Sequence, residues 1–269
     1  MWDFAKARVK NYVKQPFYSL YERRLEEKVM SLERPKHVGV ILDGNRRYAR
    51  VNKFSKLIDG HKKGADKLEE FMEWCFELDI PIITIWAFSI DNFHRSEEEV
   101  EGLFKLIKRH TELLINDQKI YDRKVKLRYI GRIELLPQDL QDTIREAEEK
   151  TKHHDRFVLN IALAYGGREE ITDAFQRYMD DCADKGQDLQ TCRDKLDPDE
   201  LSKYLYTSGL PEPDLIIRTS GEIRLSGFLL WQSAHSEFYF CDLLWPEFRR
   251  MDFLRALRVY AARQRRYGR

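Results

Sequence analysis

Long hydrophobic runs are missing from this chain. The longest stretch without Asp, Glu, Lys or Arg, from Leu225 to Ser236, holds twelve residues, whereas a bilayer-spanning helix needs roughly 18 to 20 apolar ones. Met1 begins no signal-peptide pattern, so no segment is expected to cross a membrane. Cysteine is scarce: Cys75, Cys182, Cys192 and Cys241 stand without C-x-x-C spacing, which excludes a zinc ribbon and a disulfide framework and suits a reducing cytoplasm. An excess of charge of one sign is lacking too. The formal net charge is +1, so a nucleic acid held by bulk electrostatics is not an expected partner. Neither G-x-x-x-x-G-K-[ST] nor G-x-G-x-x-G occurs, which removes the ordinary nucleotide cradles. No G-x-S-x-G elbow or Cys/His nucleophile arrangement supports covalent hydrolysis.

What is present suffices for a packed core. Apolar residues make up 42% of the 269 and charged residues 35%, a composition and length that fit one large domain. The expected organisation is an amphipathic helical extension over residues 1–34 and a single body over 35–269. Both ends are basic: residues 1–34 carry eight Lys/Arg against five Asp/Glu, and residues 249–269 carry eight Arg against Asp252 alone. In the extension, Tyr18, Tyr21, Leu25, Val29 and Leu32 recur at spacings of three and four, the pattern of an amphipathic helix. Such a face packs on the chain's own core or lies on a membrane surface; the spacing is compatible with both.

From residue 38 onward, strand-like runs alternate with helix-period segments. Val38 to Leu42, Ile82 to Phe88, Val125 to Ile130, Phe157 to Ala164, Leu215 to Ile217 and Phe238 to Phe240 are short and rich in β-branched and aromatic residues. The pattern predicts an α/β domain with a largely parallel sheet of about six strands flanked by helices. Leu68, Phe71, Met72, Cys75 and Phe76, then Val100, Leu103, Phe104, Ile107, Thr111 and Leu114, form helical stripes that face the core or line an apolar cavity. Residues 180–199 are polar and read as a surface helix end and loop.

Ligands of open α/β sheets gather at the carboxyl ends of the strands. Here those ends read Asp43-Gly44-Asn45-Arg46-Arg47, Ser89-Ile90-Asp91-Asn92-Phe93-His94-Arg95, Tyr165-Gly166-Gly167-Arg168 and Arg218 to Ser226. Arg47, Arg95, Arg218 and Arg224 brought to one crevice would repel each other unless an anion lay among them, and guanidinium forks match phosphate oxygens. The ligand so implied is polyanionic. Asp43 supplies a hard oxygen for the Mg²⁺ that diphosphates carry.

The stretches HVGVILDGNRRYA (37–49), GHKKGA (60–65), AFSIDNFHR (87–95), NIALAYGGR (160–168), DLIIRTSGEIRLSGFLLWQSAHSEFYF (214–240) and RRYG (265–268) resemble, in order and spacing, those of the cis-prenyltransferases, the family of undecaprenyl and dehydrodolichyl diphosphate synthases. The resemblance covers residues 37–268 and implies a catalytic domain over 35–269. It implies condensation of isopentenyl diphosphate onto an allylic prenyl diphosphate, farnesyl or geranylgeranyl, with Mg²⁺ as cofactor. The product would be a Z-polyprenyl diphosphate, the precursor of a lipid glycan carrier. Arg46-Arg47-Tyr48 stands where many bacterial members have Gly-Arg-Trp, and looks more like the archaeal and eukaryotic branches.

Carried onto this chain, the resemblance implies that Asp43 organises Mg²⁺ and the diphosphates and that Asn45 assists removal of the C2 proton of isopentenyl diphosphate. Arg47 and His61 would hold the allylic diphosphate, and Arg218, Arg224 and Ser226 the isopentenyl diphosphate. Asn92 and Arg95 would support them, within substrate-binding stretches that include Gly44, Arg46, Tyr48, Phe88, Ser89 and Phe93. Glu237 matches a carboxylate associated with Mg²⁺ in some members. The terminal Arg266-Tyr267-Gly268 matches an Arg-x-Gly that reaches into the partner subunit's site, so Arg266 and Gly268 imply a homodimer. An insoluble product implies peripheral membrane association.

Two rival readings carry less. Asp180-Asp181-Cys182-Ala183-Asp184 spells the D-D-x-x-D of trans-prenyl synthases, but those all-helical enzymes need a second acidic motif. A non-catalytic partner subunit would typically lose the D-G-N and the diphosphate arginines, which this chain keeps.

Overall fold

The computed structural model describes residues 20–263, so Arg266, Tyr267, Gly268 and the aromatic residues before position 20 lie outside it. Residues 20–30 are helical (α1). Then follow β1 (His37–Ile41), α2 (Asn45–Val51), α3 (Ile58–Glu77), β2 (Ile82–Trp86), α4 (Glu97–Asn116), α5 (Gln118–Asp122) and β3 (Val125–Ile130). The chain continues through α6 (Gln138–Thr151), β4 (Phe157–Ala162), α7 (Gly167–Asp184), α8 (Leu189–Lys195), α9 (Pro198–Ser202), β5 (Leu215–Arg218), β6 (Glu237–Phe240) and α10 (Arg250–Ala262). The six strands order as β3-β4-β2-β1-β5-β6, and every neighbouring pair is parallel.

Alternation along the strands sorts their side chains between two apolar layers. Val38, Val40, Ile83, Ile85, Leu215 and Ile217 join the larger one, with Phe71, Leu103, Ile144 and Leu254 from α3, α4, α6 and α10. Ile41 and Ile216 face the smaller layer around Tyr165, Phe228 and Leu229. In α1, Leu25 and Val29 are buried in the larger layer, and Arg250 clasps Glu26 at 2.7 Å, so this stretch packs on its own core.

Two expectations need correction. The predicted second and fourth strands ran too long: β2 stops at Trp86, and β4 stops at Ala162, two residues before Ala164 turns left-handed at φ 44°. Residues 180–199 are not simply a helix end and loop, because α8 and α9 lie within or across them. Asp188 and Asp197 cap those helices, accepting from Thr191 N at 2.8 Å and Glu200 N at 2.7 Å, and Pro198 opens α9.

At the amino end of β1, His37 closes a buried polar relay. Its Nδ1 donates to the Pro211 carbonyl (2.7 Å), so Nε2 accepts from Thr84 Oγ1 (2.7 Å). Thr84 in turn accepts from Asn160 Nδ2 (3.2 Å). Burial drives the imidazole pKa from 6.5 down to about 4. Between those values the unfolded chain binds a proton that the folded one refuses, so the contribution is present above pH 6.5 and disappears as pH falls toward 4. His37 is expected to remove about 2 kcal/mol of stability between pH 7 and pH 5. Urea unfolding at both pH values checks this, since His37→Gln should shrink the fall by that amount; equal falls would exonerate His37.

Candidate active site

The first, second and fifth strands deliver their following residues to one cavity of about 350 Å³ at the carboxyl edge of the sheet. Asp43, Asn45, His61, Ser89, Asn92, Arg95, Arg218 and Ser226 form its polar mouth, while Leu68, Met72, Ile85, Leu103, Ile107 and Leu114 form an apolar interior. The two helical stripes are thus divided. Phe71 and Cys75 go to the core, and neighbours on the same helices line the cavity. Phe88 lines it too, whereas Phe93 packs edge-on against Phe88 with ring centroids 5.0 Å apart.

Arg218 anchors the mouth. Its side chain is 5% exposed, and it donates through Nη2 to Asp43 Oδ2 (2.8 Å) and through Nη1 to Ser226 Oγ (2.9 Å) and the Arg224 carbonyl. The loop it grips bends through left-handed backbone at Ser220 (φ 80°) and Ser226 (φ 52°), conformations that persist in non-glycine residues only where surroundings enforce them. Here Ser220 N donates to the Leu243 carbonyl (2.7 Å), and the neighbouring Thr219 Oγ1 donates to the Asp43 carbonyl (2.7 Å).

The remaining arginines also have carboxylate partners, two of which were missed as such by sequence reasoning. Glu99 is 7% exposed. It accepts from Arg95 Nη1 at 3.0 Å, with Arg46 Nε at 3.3 Å and His61 Nε2 at 3.8 Å. Its signal was the i,i+4 spacing from Arg95, masked by the exposed Glu97 and Glu98 beside it. Glu222, inside a quoted motif, bonds Arg224 and lies 3.4 Å from Arg47 Nη2, while Arg47 Nη1 donates to the Ser220 carbonyl (2.9 Å). The guanidiniums therefore do not need a bound anion to coexist. Five of them (Arg46, Arg47, Arg95, Arg218, Arg224) still outnumber the three carboxylates that hold them.

His61 is a neutral imidazole. Burial first, then the charges of Arg95 and Arg46, push its pKa down to about 4, so its approach to Glu99 is no ion pair. Its Nε2 is buried without a hydrogen-bond partner, as are Asn45 Oδ1, Arg46 Nε and Arg218 Nε. Buried polar atoms are rarely left unpaired, and four converging around one mouth mark a place prepared for a polar ligand.

Two glycines bring α2 and α3 together at Asn45. A Cβ on Gly60 would lie 2.2 Å from the Asn45 carbonyl oxygen, and one on Gly64 2.4 Å from Asn45 Oδ1. Asn45 also donates through Nδ2 to the Leu42 carbonyl (3.3 Å). Gly44, at φ 110°, turns the chain from β1 into α2. Tyr48 faces Phe54 edge-on at 5.8 Å and lies outside the cavity lining.

Glu237 is not brought to this mouth. It starts β6 opposite Leu215, whereas Arg218 pairs with Phe240, so three residues, about 10 Å of strand, separate the two levels. Arg263 Nη1 donates to it at 2.6 Å. Parallel register thus puts Glu237 and Asp43 at opposite strand ends, so the two do not meet at one site within this chain. The D-D-x-x-D match lies in the last turns of α7, where Asp181 accepts from Lys185 (2.6 Å) and Tyr204 (2.7 Å).

Residues 41–268 match the family described as "Putative undecaprenyl diphosphate synthase". The chain belongs to the undecaprenyl diphosphate synthase family. It is a prenyltransferase. An isoprenyl transferase of Thermus thermophilus is 51% identical over 255 residues, covering 95% of this chain and 97% of that protein. A tritrans,polycis-undecaprenyl-diphosphate synthase (geranylgeranyl-diphosphate specific) of Thermoplasma acidophilum is 49% identical over 250 residues, covering 93% and 95%. Among solved structures, lavandulyl diphosphate synthase from Lavandula x intermedia, in complex with dimethylallyl diphosphate, superposes with a TM-score of 0.79 at 34% identity, covering 87% of this chain and 98% of that one. The family's parallel α/β fold is the fold observed.

Proposed function

We propose that this prenyltransferase condenses isopentenyl diphosphate onto an allylic primer, farnesyl or geranylgeranyl diphosphate, to build a Z-polyprenyl diphosphate that serves as precursor of a lipid glycan carrier. The observation that carries this reading is one cavity with Arg95 and Arg218 in its mouth and a hydrocarbon-lined interior, with Arg46, Arg47 and Arg224 held beside that mouth through Glu99, Glu222 and Arg218. The mouth takes diphosphates, and the interior takes the chain.

Mg²⁺ fits the mouth as a cofactor held jointly with substrate. No group of three or more His, Cys, Asp or Glu forms a metal cage among the described residues, and Mg²⁺ is ordinarily held by one or two carboxylates together with phosphate oxygens and water. Asp43 is 38% exposed and uses Oδ2 on Arg218, so it is the carboxylate that would hold the ion. When bound, the ion neutralises charge developing on the departing diphosphate.

Arg218 and Ser226 grip the isopentenyl diphosphate, while Arg47 and Arg224, loosely tied to Glu222, swing to the phosphates. His61 donates a neutral hydrogen bond to the allylic diphosphate. Asn45 orients the reacting carbons so that the C1–O bond breaks as the new carbon–carbon bond forms. The π pair of isopentenyl diphosphate forms the new bond, the diphosphate leaves with the C1–O pair, and the C2 proton passes to an oxygen of that diphosphate as the C2–H pair becomes the new double bond. A homodimer completed by Arg266 and Gly268, and peripheral docking on a membrane, belong to the same proposal.

The test is incubation of the purified chain with Mg²⁺, radiolabelled isopentenyl diphosphate and each primer in turn, with chain-length separation. Products growing in five-carbon steps, and none in EDTA, support the proposal; no incorporation with any primer refutes it. A Trp in place of Leu103 or Ile107 is expected to shorten the products by filling the cavity, and an unchanged ladder would take those residues out of its wall.

A further inference from the structure

Beside Arg218 the mouth carries an aromatic ring. Ile41 pairs with Arg218 on one side and with Trp86 on the other, so the three stand at one level across β5, β1 and β2, with the Cα atoms of Arg218 and Trp86 about 10 Å apart. Residues in register on parallel strands project to the same side of the sheet, here toward the smaller apolar layer. Trp86 is half-buried and lines the cavity together with Arg218 and Ser226. Phe228 stacks on its indole, with centroids 5.4 Å apart and planes 13° from parallel, and Tyr165 meets it at 6.1 Å and 89°. Neither Phe228 nor Tyr165 belongs to the cavity lining, so Phe228 backs one face of the indole and the opposite face is the one turned to the cavity. The loop that Arg218 grips through Ser226 Oγ (2.9 Å) also carries Phe228, which ties the ring plane to the diphosphate cradle.

The indole is not held by its polar atom. Nε1 is buried with no hydrogen-bond partner, an arrangement that costs stability. Among the described residues no Lys or Arg stands over this ring, although cations cover rings elsewhere, at Trp74 and Tyr206 for example. Its cavity-side π face is therefore left to the ligand.

The reaction supplies a use for that face. When the π pair of isopentenyl diphosphate forms the bond from its C4 to C1 of the primer, C3 is left electron-deficient until the C2–H pair closes the new double bond. C3 lies three bonds from the bridging oxygen of the diphosphate, roughly 4 Å along the molecule, which takes it from the Arg218 cradle toward the neighbouring strands. A π face within about 6 Å attracts a positive centre, most strongly for Trp and in a desolvated site. An interaction that grows only as charge develops accelerates the step instead of merely tightening binding.

We propose that Trp86 is a catalytic residue of the condensation, its cavity-side face stabilising the positive charge that develops at C3 of isopentenyl diphosphate. This rests on the prenyl-elongating reading above. No bond to the protein forms, and the charge is discharged when the C2 proton leaves.

Fluorine on an indole withdraws electron density from the π face with little change of shape, so a fluorinated series separates this role from packing. Because the chain holds five tryptophans, tryptophan bearing zero to four fluorines is placed at position 86 alone in the full-length chain. The rate measured is the single-turnover addition of one labelled isopentenyl diphosphate to geranylgeranyl diphosphate. Its logarithm is expected to fall in proportion to the number of fluorines, by about tenfold over the series, with the melting temperature and the KM for the primer unchanged. Trp86→Leu should lower the rate at least as far, and Trp86→Phe less. A rate indifferent to fluorine overturns the proposal even where Trp86→Leu is inactive, since a packing role alone predicts that pair of results. A rate that rises with fluorine overturns it as well, because fluorine makes the N–H a stronger donor and would assign Nε1 a hydrogen bond to phosphate. Absence of any product from the unaltered chain overturns the functional reading together with the role of Trp86, whereas normal product with a flat series overturns that role alone.

Discussion

Replacing Asp43 with Ala is expected to lower turnover by roughly 10³-fold, with a smaller change in KM. In the proposed reaction the carboxylate stands where charge develops on the departing diphosphate, and losing one preorganised group at such a point costs roughly 10²- to 10³-fold, with more when the same group positions a metal ion. A second effect follows from the partner. Arg218 is almost wholly buried and relies on Asp43 Oδ2, so removing the carboxylate leaves a guanidinium without its countercharge. Because Asp43 itself is 38% exposed, water replaces part of that interaction, and the stability loss falls below the several kcal/mol of a sealed pair. Steady-state kinetics alongside thermal melting separates the two effects. Asp43→Asn keeps a hydrogen-bond acceptor for Arg218, so it should recover most of the melting temperature and little of the turnover. Recovery of both would reduce Asp43 to a structural partner of Arg218.

Gly64→Ala is expected to cost activity about 100-fold while leaving the fold intact. In an open helix the change would stabilise by up to about 1 kcal/mol. In α3 the added methyl would sit 2.4 Å from Asn45 Oδ1 and 2.9 Å from its Cγ, so the amide must rotate or withdraw. A displacement of about 1 Å at a reacting group suffices for a loss of that order. Gly60→Ala differs because its methyl meets the Asn45 carbonyl oxygen at 2.2 Å; backbone cannot rotate away, so α2 and α3 must separate and the melting temperature should fall. An active Gly64→Ala enzyme with an unchanged kcat would show that the position of the Asn45 amide is unimportant to turnover.

Much of this protein was legible in its sequence because much of it is locally encoded. All six strands appear within a few residues of their expected bounds, since a doubly buried parallel strand must be a short apolar run whatever surrounds it. Asp43, Asn45, Ser89, Asn92, Arg95, Arg218 and Ser226 were legible for a related reason: residues that follow such strands are delivered to one edge of the sheet, and all seven line the cavity. Arg47 and Arg224 share Glu222 and lie outside the cavity lining.

Tertiary structure decided whatever depends on a partner distant in sequence. Asp43 and Arg218 are 175 positions apart and Arg47 and Glu222 the same, so no spacing rule could join them, and the arginine cluster suggested mutual repulsion where the fold supplies countercharge. Glu99 could not be told from Glu97 and Glu98 until α4 turned it toward His61 and Arg46. Helical periodicity marks which residues share an apolar face but not what that face meets; packing alone sent Phe71 into the core, turned Ile107 and Leu114 to the cavity wall, and set Leu103 between the two. The level of Glu237 was hidden for the complementary reason, since a matching motif records order along the chain, while the register of β6 against β5 set where its carboxylate stands.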